Sequence, residues 1–534
     1  MQGVRRDDAI DRLARERLGF DELRPGQREA VAAAAEGRDV LAVLPTGAGK
    51  SAIYELAGML RGGPTVVVSP LIALQNDQLA HLRAAGLSAT VVNSQQSAAA
   101  HRAALADPGQ FVFLSPEQLS NDQTRAALRH AQPALFVVDE AHLVSQWGQD
   151  FRPDYLRLGA QADALGAGVR MALTATAAPP VRREIQRRLG LRDPEIVIGD
   201  FDRPHIELSV QHARSPDDKQ RLIARAAGEL GGSGIVYAGT HAGAEAARDT
   251  LAAAGERVSL YHAGLGAAAR RRAMAEFLDG QARIVAATVA FGMGVDKPDV
   301  RWVLHADVPV SLDAYYQELG RAGRDGDRAE ARLLYRPQDV GAARHLTARG
   351  VSDAVVTEVA ERLAATATAE LGSRSATLAL ARLVDVGAAA WAADGRVRWT
   401  GAMDVAGALS ASRAEGEREH EVERSRLEMM RRYAEHTRCR RSFLLSYFGQ
   451  DYPGPCGACD NDRRHLAARP SAELFPVGAR VESDRWGEGT VQRYDGDQVT
   501  VLFDDHGYRD LLVPLVVERR LLHAIGPHSD RERI

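Results

Sequence analysis

Leu41-Ala-Val-Leu-Pro-Thr-Gly-Ala-Gly-Lys-Ser51 is the stretch that decides the fold of the first part of this 534-residue chain. The apolar run from Val40 to Leu44 predicts a buried strand, and the residues from Ser51 to Leu60 predict a helix. The small residues between them form a turn that exposes backbone N–H groups and the positive end of that helix to a phosphate. The stretch therefore predicts a triphosphate site on an α/β sheet, although Leu44 stands where the strict phosphate-loop pattern has its first glycine.

The candidate nucleotide ligands of this loop differ in what they contribute. Lys50 reaches the β- and γ-phosphates, and the Ser51 hydroxyl binds Mg²⁺. Only three of the 67 basic residues are lysines. A slim ammonium fits between phosphates where a broad guanidinium does not, so a lysine here favours a functional role over an ordinary glycine-rich turn. The predicted ligands of the nucleotide in this loop are Thr46, Gly47, Gly49, Lys50 and Ser51.

Composition limits the classes of function. The net charge of −4 excludes a chain that coats nucleic acid indiscriminately, so any nucleic-acid binding must use local grooves. No apolar run approaches the ~20 residues of a membrane span, and the N-terminus lacks a signal-peptide pattern. We expect a cytoplasmic protein without a membrane partner. The three cysteines all lie between residues 439 and 459, which favours a metal site over a disulfide framework.

A second anchor is Ala134-Leu-Phe-Val-Val-Asp-Glu-Ala-His142, a hydrophobic strand that ends in two acids. Asp139 can hold Mg²⁺ through water, while Glu140 can orient and deprotonate an attacking water. Paired acids also occur as solvated strand ends. Their position about ninety residues after a phosphate loop, in an alternating strand and helix pattern, favours the catalytic interpretation.

Three segments together resemble a known family. The segments 46–51, 139–142 and 172–177 look like motifs I, II and III of superfamily 2 helicases. Residues 143–155 resemble the aromatic-rich loop of RecQ-family DNA helicases, which in that family couples single-stranded DNA to ATP hydrolysis. The resemblance implies DNA-binding or coupling roles for Trp147, Phe151 and Arg152, with Ser69 and Thr288 at predicted strand ends. It also assigns adenine recognition to Phe20, Arg24 and Gln27.

The second part of the motor follows the same pattern. Strands are predicted at 234–238, 258–262, 284–288 and 302–305, and three segments between 261 and 326 look like RecQ motifs IV to VI. Gln317, Arg321 and Arg324 are expected to be catalytic. The two arginines lie three residues apart, so one helical turn can aim both at the γ-phosphate, with a solvated face as the alternative. These patterns predict two tandem RecA-like α/β domains, residues 1–205 and 206–345.

The C-terminal third is divided into three smaller modules. Residues 346–410 read as two helices and a hairpin, which is the order of a winged helix, although an interaction or spacer domain fits as well. Residues 411–466 predict a helical zinc-binding module with one charged helical stretch over 412–448. Cys439, Cys456 and Cys459 supply three thiolates. The RecQ family has a fourth cysteine where this chain has Asp462, so Asp462 or His465 completes the site, or the site is lost.

Residues 467–534 change character, with short alternating strands and glycine turns that suggest a small SH3-like barrel. This tail looks like the Tudor-type tails of some bacterial DNA helicases, which implies a protein partner such as RNA polymerase. The usual RecQ winged helix is expected to have no room after the zinc module. The sequence therefore does not identify the element that separates the DNA strands at a fork.

The resemblance implies an ATP-dependent DNA helicase with ATP, Mg²⁺ and Zn²⁺ as cofactors. It implies 3′ to 5′ movement along single-stranded DNA, unwinding of tailed or forked duplexes, and a nucleoid-associated role in repair and recombination. Two alternatives remain at this point. One is a translocase or RNA-directed relative that does not separate strands, and the other is a nucleotide-switched recruiter whose barrel docks a partner.

Overall fold

The computed structural model describes most of the chain, in two compact units. The described residues are 2–45, 47–70, 72–93, 96–145, 153–292, 295–347, 351–369, 373–392, 396–464, 474–495 and 498–525. One unit contains residues 1–200 and 350–416, and the other contains residues 201–349 and 417–534. Within the described ranges, no helix is both long enough and apolar enough to span a bilayer.

The first lobe is a seven-stranded parallel sheet with the order β3-β4-β2-β5-β6-β1-β7. Most of its strands are buried along their whole length, which explains their unbroken apolar sequences. The strands are β1 Val40–Val43, β2 Thr65–Val68, β3 Ala89–Val92, β4 Phe111–Leu114, β5 Leu135–Val138, β6 Val169–Thr174 and β7 Glu195–Ile198.

Helices cover this sheet and close its core. The helices are α1 Gln2–Leu18, α2 Gln27–Glu36, α3 Lys50–Arg61, α4 Ile72–Ala84, α5 Ala98–Ala106, α6 Asp122–Ala131, α7 Leu158–Leu165 and α8 Pro179–Leu189. Short 3-10 turns lie at Pro116–Ser120, Ala141–Val144 and Pro153–Arg157. One hydrophobic cluster joins α1, α2 and α3 to the strands, with Ile10, Val31 and Ile53 fully buried in it. The chain before the phosphate loop is thus a helix, a turn and a second helix.

The second lobe is a six-stranded parallel sheet with the order β10-β11-β9-β12-β13-β8. The strands are β8 Ile206–His212, β9 Ser233–Tyr237, β10 Val258–Tyr261, β11 Ile284–Ala287, β12 Val300–His305 and β13 Ala329–Tyr335. The helices are α9 Pro216–Glu229, α10 His241–Ala253, α11 Ala267–Leu278, α12 Leu312–Leu319 and α13 Pro337–Thr347. The prediction of two tandem α/β domains with parallel sheets is therefore confirmed.

One detail of the second lobe differs from the prediction. Helix α12 ends at Leu319, so Arg321 and Arg324 follow it in a series of turns and do not share a helical turn. The cause is the run of glycines, because Gly320 caps the helix and Gly323 has a φ of +62°, a left-handed conformation that favours glycine.

Residues 351–416 form a small insert that belongs to the first unit. Its elements are α14 Asp353–Thr366, β14 Thr368–Ala369, α15 Arg374–Asp385, β15 Ala389–Trp391 and β16 Val397–Trp399. The three strands form an antiparallel sheet with the order β14-β16-β15. Helix α15 contacts the first lobe, because Leu156 packs against Leu378 and Ala381, and Arg188 Nη2 lies 3.0 Å from Asp385 Oδ2.

The helical stretch predicted over 412–448 is broken in the structure. The helices of this region are α16 Val405–Glu435, α17 Arg440–Tyr447 and the short α18 Asp460–Arg463. The break at residues 436–439 places Cys439 at the start of α17. This position brings Cys439 close to the cysteines that follow, which a single continuous helix would not allow.

The C-terminal region is a five-stranded antiparallel sheet with the order β20-β19-β18-β17-β21. Its elements are β17 Arg480–Ser483, β18 Gly487–Asp495, β19 Gln498–Phe503, β20 Gly507–Leu512, α19 Val513–Arg519 and β21 His523–Ala524. Its core contains Val481, Val491, Val501 and Phe503, all fully buried. The short alternating strands predicted here are confirmed.

Candidate nucleotide and zinc sites

The phosphate loop connects β1 to α3 in the geometry expected for a triphosphate cradle. Gly47 and Gly49 have φ values of +83° and +71°, in the left-handed region, and Gly49 caps the start of α3. Lys50 is the first residue of that helix, and its ammonium donates to the Leu44 carbonyl over 3.3 Å. Ser51 follows in the first turn, while Thr46 lies outside the described residues.

Gln27 supports this loop from outside. Its Nε2 donates to the carbonyls of Ala48 and Gly49 at 2.8 and 2.9 Å, and its Oε1 accepts from the Arg24 backbone at 2.8 Å. The Arg24 guanidinium also donates to the Gly47 carbonyl. A Cβ on Gly49 would lie 2.7 Å from Gln27 Nε2, so this contact requires glycine. Two of the predicted adenine ligands thus contact the phosphate loop, and Phe20 is exposed nearby in sequence.

The two acids lie at the carboxyl end of β5, which is two strands from β1 in the sheet. Asp139 accepts a hydrogen bond from the Glu140 backbone at 3.0 Å and lies 3.5 Å from the Ser69 hydroxyl. Glu140 has a φ of +49°, a conformation that costs a non-glycine residue roughly 1–3 kcal/mol and that concentrates at functional sites. Its Oε2 lies 3.3 Å from Nδ1 of His142.

Burial and nearby charges change the proton affinity of Asp139. Burial, followed by the Glu140 charge, raises the pKa of Asp139 from 3.8 to about 6, although the Lys50 charge lowers it. The positive charge of Lys50 therefore favours the ionised form of the Asp139 carboxylate. His142 Nδ1 also lies 3.0 Å from the Thr174 hydroxyl, so the segments after β5 and β6 are in contact. Sequence reasoning quoted both segments as motifs and missed this contact between them.

Glu55 on α3 is a buried acid that sequence reasoning did not identify. It is 1% exposed, neither carboxylate oxygen has a hydrogen bond among the described residues, and His81 Nε2 lies 3.8 Å from Glu55 Oε2. Burial raises the pKa of Glu55 from 4.5 to about 7. Folding therefore opposes ionisation of this carboxyl. The destabilisation is absent below about pH 4.5, grows as the pH rises towards 7, and is complete above it.

We expect Glu55→Gln to stabilise the first lobe by roughly 1–3 kcal/mol near pH 8 and by much less near pH 5. The physical reason is that glutamine has no charge to desolvate at either pH. Thermal unfolding at the two pH values measures the effect, with the exposed Glu16→Gln as the matched control. An equal gain at both pH values would show that packing, and not ionisation, explains the change.

The candidate residues of the second lobe are placed around α12 and the end of β11. Gln317 lies on α12, and Arg321 is 7% exposed after the helix ends. A Cβ on Gly292 would lie 2.9 Å from the Arg321 guanidinium, so this glycine leaves space for the arginine. Arg324 donates to the Val295 carbonyl at 2.8 Å and to Asp296 at 2.9 Å. Thr288 directly follows β11 and is buried.

The predicted DNA-coupling loop lies largely outside the described residues. Trp147, Phe151 and Arg152 are among the residues that the structure leaves undescribed. Ser145, which precedes them, donates to Glu184 at 2.6 Å, and Glu184 holds Arg188 at 2.7 Å. Ser69, the remaining candidate of this lobe, is 3% exposed at the end of β2.

Four side chains converge at the zinc site. One donor atom from each of Cys439, Cys456, Cys459 and Asp462 lies within 4.8 Å of the others. Asp462 Oδ2 accepts from the Cys456 and Gly457 backbones at 2.7 and 3.1 Å, which leaves its second oxygen for a metal. Hydrogen bonds from the neighbouring thiols lower the pKa of Cys459, which favours the thiolate. Three sulfurs and one carboxylate suit tetrahedral zinc. His465 lies outside the described residues.

A buried ion pair joins this site to the second lobe. Arg440, the residue after Cys439, pairs with Asp460, the residue after Cys459, and Asp460 Oδ2 also accepts from the Val210 backbone at 3.2 Å. The site is therefore attached to the edge strand β8. Sequence reasoning missed Asp460, and its position beside a cysteine was the available signal.

Comparison with known proteins adds evidence to this geometry. Three family models match the chain: the DEAD/DEAH box helicase model at residues 24–185, the helicase conserved C-terminal domain at 218–326, and the RecQ zinc-binding model at 402–463. The ATP-dependent DNA helicase RecQ of Bacillus subtilis is 31% identical over 524 residues, which cover 96% of this chain and 77% of that protein. The chain belongs to the RecQ helicase family. This membership and the converging donors confirm ATP, Mg²⁺ and Zn²⁺ as its cofactors.

Other relatives of this RecQ-family chain match it over shorter ranges. The ATP-dependent DNA helicase RecQ of Pasteurella multocida is 37% identical over 326 residues, which cover 60% of this chain and 51% of that relative. The chain thus spans about half the length of that relative. Among solved structures, the Mycobacterium smegmatis helicase Lhr bound to single-stranded DNA and AMP-PNP has a TM-score of 0.51 at 18% identity. The match covers 90% of this chain and 68% of Lhr, and it supports the fold alone.

Proposed function

We propose that this RecQ-family chain is an ATP-dependent DNA helicase that moves 3′ to 5′ along single-stranded DNA and unwinds tailed or forked duplexes in repair and recombination. One observation supports this most strongly. The phosphate loop after β1 and the Asp139–Glu140 pair after β5 lie at the same edge of one parallel sheet, because the carboxyl ends of parallel strands share an edge. We propose DNA as the substrate because the similar proteins are named as DNA helicases.

In this proposal each side chain has a defined task. Lys50 and the loop N–H groups hold the triphosphate, while Arg24 and Gln27 set the loop conformation next to the adenine. Ser51 and Asp139 hold Mg²⁺, which neutralises phosphate charge when it is bound. Glu140 orients the attacking water and accepts its proton. Gln317, Arg321 and Arg324 act on the γ-phosphate, where arginine stabilises the charge of the transition state.

The coupling of DNA to hydrolysis is assigned to the segment after His142. Trp147, Phe151 and Arg152 are proposed to contact single-stranded DNA, because stacking a base on an aromatic ring contributes about 1–3 kcal/mol for any sequence. Ser69 and Thr288 are proposed as further DNA contacts. Ser145 and the Glu184–Arg188–Asp385 contacts fix the start of this segment to the lobe and to the insert.

We also propose roles for two smaller modules, the insert and the C-terminal sheet. The helix, strand, helix and hairpin of residues 351–399 support a winged-helix-like insert, although α15 is packed on the first lobe at Leu156 and Arg188. We therefore propose that α15 stabilises the first lobe and does not contact DNA bases. The five antiparallel strands of residues 480–524 support an SH3-like barrel, for which a protein partner such as RNA polymerase stays a proposal.

ATP turnover with different polynucleotides tests the proposal against its alternatives. We expect single-stranded DNA to raise turnover at least about 10-fold, and RNA of the same length to raise it far less. The comparison at matched nucleotide concentration separates a DNA motor from an RNA-directed relative. A recruiter that uses ATP only as a switch predicts slow turnover with either polymer, and that result would refute the proposed activity.

A further inference from the structure

The C-terminal sheet touches the zinc module through two stacked tyrosines. Tyr508 on β20 and Tyr447 on α17 have ring centroids 5.2 Å apart and ring planes 24° apart. Both side chains are buried, at 6% and 0% exposure. A stacked and buried aromatic pair fixes the separation of the two elements that carry it.

The hydroxyl of Tyr447 continues the contact into the second lobe. It donates to Asp313 Oδ2, and Arg426 on α16 donates to the same oxygen over 2.7 Å. Burial raises the pKa of Tyr447, and the Asp313 charge raises it further, so the hydroxyl keeps its proton and stays a donor. Two donors on one buried carboxylate oxygen hold the Asp313 side chain in one position.

Asp313 lies in the first turn of α12, the helix that delivers the candidate catalytic residues. Gln317 is on the same helix, and the Arg321 backbone donates to the Glu318 carbonyl at its end over 3.2 Å. A displacement of the first turn of α12 therefore also moves Arg321, at the start of the segment 321–324. Separate contacts, such as the Tyr315 and Tyr433 hydroxyls 3.2 Å apart, keep α12 folded when Asp313 is released.

The C-terminal sheet is seated firmly enough to transmit this constraint. His506 Nδ1 lies 3.1 Å from Glu421 on α16, and Arg509 pairs with the same carboxylate. A Cβ on Gly507, which has a φ of +68°, would lie 2.2 Å from the Ser425 hydroxyl. The start of β20 is therefore packed against α16, where only glycine fits.

We propose that Tyr508 and Tyr447 are positioning residues for ATP hydrolysis. Through Asp313 they set the placement of α12, and hence of Gln317, Arg321 and Arg324. The inference rests on the catalytic roles proposed above for those three residues. It gives the C-terminal sheet a function inside the motor, independent of any partner that the sheet binds.

Two measurements on the 534-residue chain test this. In Tyr508→Ala we expect hydrogen exchange of residues 312–319 to be faster, and kcat of DNA-stimulated ATP hydrolysis to fall about 5- to 10-fold with KM for ATP within about 2-fold. Tyr508→Phe keeps the ring and should restore both values. Tyr494→Phe is the control, because the Tyr494 hydroxyl bonds to the backbone of Leu474 and Phe475, in the segment before β17.

Tyr447→Phe covers the case in which Tyr508→Ala fails to fold. It removes one hydroxyl and keeps the stack, and we expect faster exchange in residues 312–319 with about a 3-fold lower kcat. Unchanged exchange and unchanged kcat in Tyr447→Phe would overturn the inference. The exchange measurement does not depend on ATP turnover, so loss of the proposed activity in the unmutated chain is a separate and distinguishable result.

Discussion

Glu140→Gln should abolish DNA-stimulated ATP hydrolysis, with kcat lowered by at least about 100-fold, while ATP still binds. Glutamine keeps the shape of the side chain and can still orient a water, but it cannot accept the proton. Steady-state turnover gives kcat, and equilibrium binding of a fluorescent nucleotide shows that the site is intact.

Lys50→Ala should instead weaken nucleotide binding, because the loop loses the only ammonium that the described residues bring to it.

The matched control for Glu140→Gln is Glu16→Gln, the same change on an exposed face of α1. It should leave kcat within about 2-fold of the unmutated chain, because an exposed surface acid takes no part in the chemistry. Retained turnover in Glu140→Gln would remove the general base from the scheme. The Asp139–Glu140 pair would then be a solvated strand end, as the simpler interpretation of the sequence holds.

The second large effect concerns the metal. We expect the purified chain to hold about one equivalent of zinc and Cys459→Ser to hold less than about 0.2, with thermal unfolding lowered by several degrees. The reason is that three thiolates and one carboxylate make a complete tetrahedral set, and loss of a central thiolate breaks it. Elemental analysis and calorimetry measure the two quantities.

Asp462→Cys sharpens this experiment. A fourth thiolate should retain zinc and release it more slowly to a chelator, because zinc prefers sulfur to a single carboxylate oxygen. Asp451→Asn, an exposed acid of the same loop, should change neither quantity. Less than about half an equivalent of zinc in the unmutated chain would contradict a structural site, since such sites are normally filled.

Sequence reasoning predicted the motor well because its signals are local. A buried strand followed by Gly-Ala-Gly-Lys-Ser specifies a loop whose glycines have positive φ, and the structure has both. The hydrophobic runs before Ser69 and Asp139 specified strands in the same way. The parallel sheets followed, because alternating strands and helices leave few other arrangements.

Contacts between distant residues could not be predicted in this way. The link from Gln27 to Gly49 and the buried pair of Arg440 and Asp460 join segments through the tertiary fold, and local sequence does not show which residues will pair. The helix break before Cys439 also follows from tertiary geometry, since the charged sequence around it is helical by propensity. The turn conformation at Arg321 was signalled by its glycines, although spacing alone suggested a helix.

Strand separation of tailed duplexes tests the central claim most directly. The account predicts that the unmutated chain separates a duplex with a 3′ tail in the presence of ATP. It predicts no separation with a 5′ tail, with a non-hydrolysable analogue, or with Glu140→Gln. Separation of the 3′-tailed duplex that is equally fast with the analogue would contradict the account, because strand separation would then not depend on hydrolysis.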